Sequence, residues 1–457
     1  ENWDTYRDKN RRRSVQYMYP QGKFPLLGLL SLMEDEEETN DPKYSHFEYR
    51  WECPKTTLLA KGGGIGPFAT SGGGDPGNTF EWTAGTVYHV YVAAEGQMKF
   101  FINDVVTVWA DTSSFNNQTL QGLVDTAPVA GATGYLSVKA LNTVADVKND
   151  DATSQNTGKI VIVSGSAYSE GRSNVPINQR TEIPIEVYNY PQIFRTKIGF
   201  TRREMKTPIV FDKSGTYKHR VREQLLRHMV GIENMLFWGE RRTENVSNET
   251  VLGVSSTASV RTYSGGLLWY LQQYEAADST YRGGTGAAAL TLDTEDGKRI
   301  IENSTGVMTE ELWDSLMERC FRYTSNTTTE KLWIGGNKQL LVLNQLARSK
   351  QQMIAPYPRK NAYGYQMWEW TTPFGTLYLK THPLFNDIST LNYDAFILDV
   401  KNLKYRPYKD SDTVLLKNRC NDNDADGLVM EWFSDVGFEM WQPESCMYIK
   451  NVQSFTP

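Results

Sequence analysis

The 457-residue sequence predicts an α+β protein built from several parts. Three patterns carry that expectation. Residues 44 to about 200 hold Val-, Tyr- and Ile-rich runs with the two-residue period of half-buried strands. From Tyr217 one long segment switches to the helical period, and residues 251–404 then alternate helical and strand patterns.

Composition bounds the function. Hydrophobic residues make up 39% and aromatics 12%, enough for a sizeable core and unlike a disordered tail. A formal charge of −6 excludes a chain dedicated to nucleic acid, although a local basic strip can still meet phosphate. The four cysteines, Cys53, Cys320, Cys420 and Cys446, form no CxxC pair, so neither a disulfide framework nor a zinc site is expected. No apolar run approaches the ~20 residues that span a bilayer, so no membrane partner is expected. Five N-x-S/T triplets, at Asn117, Asn245, Asn248, Asn303 and Asn326, read as chance occurrences in Asn- and Thr-rich loops.

The elements follow in order. Residues 1–43 are expected to be an arm: basic "KNRRRS" (Lys9–Ser14), a short apolar helix within "FPLLGLLSLM" (Phe24–Met33), then the acidic run Glu34, Asp35, Glu36, Glu37 and Glu38. Residues 44–201 are a long β region. Its strands are expected at "YHVYVA" (Tyr88–Ala93), "VVTVWA" (Val105–Ala110), "YLSVKAL" (Tyr135–Leu141) and "KIVIVS" (Lys159–Ser164), with Gly-rich loops between. A helix is expected over 217–238 within a unit spanning 202–250. Tyr217, Val221, Leu225, Met229, Ile232 and Leu236 lie on its apolar face, Thr216 serves as N-cap, and Gly239 stops it. Residues 251–404 form an α/β unit with helices at Thr309–Thr324 and Asn337–Lys350 and strands at "KLWIGG", "GTLYLKTH" and "YDAFILDV". Residues 405–457 return to β, through "GLVMEWFSDVGFEMW" (Gly427–Trp441) to a last strand "CMYIKNV".

Each catalytic motif fails on its context. "GGGDPG" (Gly72–Gly77) fits GxGxxG, but a Gly/Ser loop precedes it and a strand pattern follows, where a dinucleotide site needs strand then helix. "AYSEG" imitates a nucleophile elbow at Ser169, yet two prolines and no helical period follow. Asp422, Asp424 and Asp426 open like a calcium loop, but the twelfth position is Phe433 in place of the bidentate Glu, which leaves a weak surface metal candidate at most. Glu-Trp pairs at Glu81-Trp82, Glu369-Trp370 and Glu431-Trp432 raise a carbohydrate-binding alternative, a secreted or virion-surface β-rich protein. Strand Trp beside solvated Glu explains the same pattern. The five histidines offer no HxxxH or HxH. No catalytic residue and no cofactor are therefore expected, and the chain reads as a non-enzyme.

The order of these parts, with "SHFEYRWE" (Ser45–Glu52), "NYPQIFRTKIGFTRRE" (Asn189–Glu204), "LFWGERR" (Leu236–Arg242), "RTYSGGLLWYL" (Arg261–Leu271) and the closing "EMWQPESCMYIKNV", resembles the major capsid proteins of tailed bacteriophages, with their Hong Kong 97-type fold. Within them it is most similar to the major-head-protein family typified by a podovirus of Escherichia with an elongated head. The long β region before Glu182 departs from the family pattern and would be an elaborated loop or an insertion on the outer surface. The resemblance implies an N-terminal arm (1–43), an extended loop with an elaborated β region (44–201), a peripheral domain with a spine helix (202–250), an axial domain (251–404) and a closing β segment of the peripheral domain (405–457). It further implies a virion subunit, made in the host cytoplasm, that self-assembles into hexamers and pentamers around packaged double-stranded DNA bound without sequence preference. Portal, scaffold and decoration or cement proteins would be its other partners. A start at Glu1 is what removal of an N-terminal segment by a phage protease would leave.

One surface then acquires a use. Arg195, Lys197, Arg202, Arg203, Lys206, Lys213, Lys218, Arg220, Arg222 and Arg227 face only three acids in the same stretch, Glu204, Asp212 and Glu223. This basic strip is expected to meet a neighbouring copy, with its acidic run Glu34–Glu38 as first candidate, or in part to face packaged DNA.

Overall fold

The computed structural model describes residues 26, 30, 37–48, 54–61, 65–93, 99–131, 134–149, 156–171, 184–207, 215–246, 249–251, 254–256, 259–275, 298–322, 330–349, 355–360, 366–417 and 427–456. They fall into two compact units. The first comprises Glu1–Glu48, Glu186–Thr285 and Ala289–Pro457; the second is Tyr49–Ile185 with Gly286–Ala288.

In the first unit, β1 (Tyr44–Glu48) pairs with β2 (Ile185–Asn189), so the chain departs and returns on neighbouring strands. β3 (Gln192–Thr201) leads into the short helix α1 (Arg202–Lys206) and the long helix α2 (Thr216–Trp238). A hairpin ladder joining Arg242–Val246 to Ser259–Tyr263 precedes α3 (Leu267–Glu275). Next come α4 (Glu310–Arg322), α5 (Asn337–Ser349) and α6 (Pro383–Asp387), followed by β4 (Leu403–Pro407) and the fourteen-residue β5 (Gly427–Met440).

Two sheets organise these pieces. β3 and β4 flank β5 on opposite sides of its length, all antiparallel. The second sheet runs in the order 300–302, 447–450, 395–398, 330–335, 376–381, 366–371, 355–360 and mixes parallel and antiparallel pairs. Its central strand Glu330–Gly335 is buried at five of six positions, as expected of a strand covered on both faces. The α4 stripe Trp313, Leu316, Met317, Cys320 and Phe321 and the α5 stripe Val342, Leu343, Leu346 and Ala347 share one core with that sheet. Trp313 stacks flat on Trp370, with ring centroids 5.2 Å apart. Thr309 Oγ1 accepts from the Leu312 amide at 3.3 Å, so Thr309 caps α4. The strand expected in "CMYIKNV", Met447–Lys450, enters this α/β sheet rather than the one formed by β3, β4 and β5, and a short strand, Ser454–Phe455, follows it and pairs with Val307–Met308.

α2 begins differently from expectation. Gly215, with φ +88°, holds the N-cap position, and Thr216 is the first helical residue, its Oγ1 donating to the Thr207 carbonyl at 2.9 Å. The positive φ suits glycine and excludes a β-branched cap. Gly239 ends the helix as expected, its N–H bonding the Met235 carbonyl at 2.8 Å.

The second unit is an antiparallel β module. Seven strands order as 55–57, 160–166, 104–110, 118–124, 135–140, 87–91, 68–70, and Thr79–Trp82 pairs with Val144–Lys148 beside them. Inward residues alternate, Val106, Val108 and Ala110 on one strand and Leu136, Val138 and Ala140 on another, and close on Trp82, Phe80 and Phe68. The strand Gln118–Val124 escaped sequence reading because Gln, Thr and Gly dilute its apolar pattern.

Candidate interaction surface

β3 has two faces, and they divide its chemistry. Phe194, Thr196, Ile198 and Phe200 point toward α2, while Ile193, Arg195, Lys197 and Thr201 point away. On the helix side Phe200 packs against Tyr217, with centroids 5.3 Å apart, and the Trp432 indole N–H of β5 donates to the Val221 carbonyl at 3.2 Å. His228 is buried between Thr196 Oγ1 at 2.9 Å and Ser434 Oγ at 2.8 Å, and burial holds its pKa below the ordinary histidine value.

The apolar stripe named from sequence is graded along α2. Ile232 and Leu236 are sealed, whereas Tyr217, Val221, Leu225 and Met229 are only half-buried. The buried C-terminal half adds Glu233, whose position among Ile232, Leu236 and Phe237 was the sequence signal for an internal carboxylate. Glu233 Oε1 accepts from the Leu26 amide at 3.0 Å and from His382 Nε2 at 2.8 Å, so the arm packs on its own chain here. Leu26 and Leu30 are fully buried.

Of the basic strip, Lys213 lies outside the described residues; the other nine side chains are exposed. Three of them are matched locally. Arg195 reaches Glu431 at 3.0 Å, Arg220 reaches Glu204 at 2.6 Å, and Arg227 reaches Glu223 at 2.8 Å one turn back. The Thr201 hydroxyl caps α1 by accepting from the Glu204 amide. Among the described residues no carboxylate pairs with Lys197, Arg203, Lys206, Lys218 or Arg222.

The acidic run is partly visible. Glu34, Asp35 and Glu36 lie outside the described residues; Glu37 and Glu38 are exposed. Glu37 takes Arg406 of its own chain at 2.8 Å and Lys404 at 3.8 Å. Its amide bonds the Tyr405 carbonyl at 3.1 Å, and the Thr39 amide bonds Pro407 at 2.9 Å, so this segment lies along the edge of β4. Behind it is a buried chain of polar and charged side chains that sequence reading missed. Arg406 Nε approaches Glu439 at 2.5 Å, His46 Nδ1 lies 3.2 Å from Glu439, and His46 Nε2 lies 3.3 Å from Glu48. Trp441 stacks on His46, and its indole N–H donates to Glu439.

The Glu-Trp pairs place their tryptophans against cores, Trp432 being half-buried on the cluster of Ile198, Phe200 and Met430. Trp82 and Trp370 are sealed in cores at 0% and 2% exposure, and among the described residues no group of His, Cys, Asp and Glu could hold a metal. Asp422, Asp424 and Asp426 lie outside the described residues. Among the described residues no helix is long and apolar enough to cross a membrane.

One family model matches the chain. A family model for the SU10 major capsid protein matches residues 28–453. No curated protein matches the sequence. Among solved structures, the cyanophage A-1(L) capsid is similar at 10% identity, with 63% of this chain and 85% of that chain covered and a TM-score of 0.38. A Mycobacterium phage Patience structure is similar at 9% identity, covering 64% and 77%, with a TM-score of 0.35. The SrpI encapsulin complex of Synechococcus elongatus is similar at 9%, covering 61% and 79%, with a TM-score of 0.31.

Proposed function

The chain belongs to the SU10 major capsid protein family, and from that premise we propose how its parts build a shell. It is a structural subunit of a tailed-bacteriophage head with the Hong Kong 97-type fold, and its place is the virion. The observation that carries this is the family match, which runs over nearly the whole chain.

In the proposed assembly, copies close into hexamers and pentamers around double-stranded DNA, with interfaces that repeat by symmetry. The α/β unit within 251–404 acts as the axial domain meeting its copies at each capsomer centre. α2 is the spine of the peripheral domain, lying on β3 and β5. The half-buried N-terminal part of α2 and the exposed cations of the basic strip supply contact surface outside the subunit core. Portal, scaffold and cement or decoration proteins complete the head, and assembly takes place in the host cytoplasm.

Negative-stain electron microscopy with light scattering, at low and moderate salt, tests this reading. Closed shells, sheets or capsomer-sized rings are expected. A chain that stays a 52.0 kDa monomer both alone and with its scaffold would overturn it.

A further inference from the structure

We infer that α1 and the N-terminal end of α2 form a contact site for the backbone of double-stranded DNA, made by Arg203, Lys206, Lys218 and Arg222. The inference rests on the shell-subunit reading and goes further by assigning residues to one polyanionic partner.

The four side chains are exposed, and among the described residues none has a carboxylate partner. Their neighbours in sequence do: Arg195, Arg220 and Arg227 are each neutralised within the chain. Four of the five unmatched cations thus gather at one end of α2, and only Lys197, on β3, stands apart from them. Placement supports the same site. The Thr216 hydroxyl bond to Thr207 and the Arg220–Glu204 pair fasten α1 to the first turns of α2. Tyr217 and Val221 turn toward Phe200 and Met430 in the core. At 100° per residue, Lys218 and Arg222 stand one turn apart on the flank opposite Arg220. The cations therefore bracket the helix end. No acidic residue occupies the first turn of α2, and among the described residues no side chain caps it, so the positive end of the helix dipole adds to the same field.

An acidic protein segment fits less well. The run offered by the chain itself is already engaged at Glu37, by Arg406 and Lys404 of the same copy. A duplex presents one phosphate charge per ~1.7 Å of its axis and has no such prior partner. With a net charge of −6 on the whole chain, attachment depends on this local patch and is salt-sensitive and independent of base sequence.

Fluorescence anisotropy of the full chain with a short labelled duplex, from low to moderate salt, tests the assignment. Four phosphate contacts predict a slope of log affinity against log salt of about −3.6. Lys218→Ala and Arg222→Ala should each reduce that slope by about 0.9, and Arg227→Ala, whose charge is already matched by Glu223, should leave it unchanged. Circular dichroism checks that each variant keeps its fold. Absence of binding at low salt, or binding undiminished in a variant with all four residues changed to Ala, would overturn the inference. So would a peptide of residues 31–41 displacing the duplex more effectively than unlabelled duplex does, since that would give the patch to a neighbouring arm. Electron microscopy of the fourfold variant separates the two questions: shells that form without DNA affinity leave the subunit reading standing, and a wild-type chain that binds DNA yet never assembles removes that reading alone.

Discussion

Glu233 Oε1 lies 2.8 Å from His382 Nε2 at a point where neither side chain touches water. The other ring nitrogen, Nδ1, accepts from the Leu384 amide at 3.1 Å and caps α6, so the ring carries its proton on Nε2 and donates it to the carboxylate. The same carboxylate oxygen accepts from the Leu26 amide. One buried atom therefore joins the arm, the long helix and the α/β sheet.

Breaking that junction should be costly in a definite order. His382→Ala removes the donor and leaves a buried carboxylate short of a partner, a loss of about 3–5 kcal/mol. Glu233→Gln keeps an acceptor oxygen of the same size in place and should cost about 1 kcal/mol. Urea unfolding of both variants checks the order; equal losses would contradict the bonding scheme.

His228 makes stability depend on pH. Burial depresses its pKa below the ordinary 6.5, with Asp412 opposing that shift, and Thr196 and Ser434 bond its two ring nitrogens. The folded state keeps the ring neutral where the unfolded chain would protonate it. Its contribution is complete above pH ~6.5 and is lost as pH falls from there toward the lowered folded value. His228→Gln should flatten that part of the stability profile, measured as urea midpoints from about pH 7.5 to about pH 5.5, on either side of the ordinary titration of histidine.

Much of this was legible in the sequence, and the exceptions are physical. The helical period located α2 within one residue at its start, and the two-residue period found the main strands, because those patterns follow from which face is buried. Its N-cap was misassigned to Thr216 because a glycine at φ +88° leaves no side-chain signature. The ten cations between Arg195 and Arg227 were visible, but their division was not. Arg195 is neutralised by Glu431, 236 positions away, through the register of β3 on β5, and no local spacing encodes that. The His46–Glu439–Arg406 chain is hidden for the same reason.

Gly437 is held to its size by Tyr44. A Cβ at that position would sit 2.8 Å from Tyr44 Cε1 and closer still to the hydroxyl, which is fixed by donating to the Phe438 carbonyl at 2.9 Å. Tyr44 is 5% exposed and has nowhere to retreat. Gly437→Ala should therefore destabilise by about 1–3 kcal/mol, read as a lower denaturation midpoint, and Tyr44→Phe in the same chain should recover part of the loss.

The two ends of the Glu37–Arg406–Glu439 chain should respond unequally. The Glu37 side chain is 56% exposed, so Glu37→Ala should cost under ~1 kcal/mol, the arm being held there by its backbone bonds to β4. Arg406 and Glu439 are 11% and 1% exposed. Arg406→Ala leaves Glu439 buried with, among the described residues, His46 and Trp441 as its remaining polar partners, and should cost about 3 kcal/mol or more. Thermal melts of the two variants, with equal shifts as the contrary result, decide this.

Cryo-electron microscopy of particles assembled from the purified chain tests the shell reading most directly. The expected map shows copies arranged around fivefold and sixfold axes, with α4, α5 and their sheet nearest those axes and α2 farther out. A symmetric shell with another part of the chain at its axes, or no closed particle under any assembly condition, would contradict it.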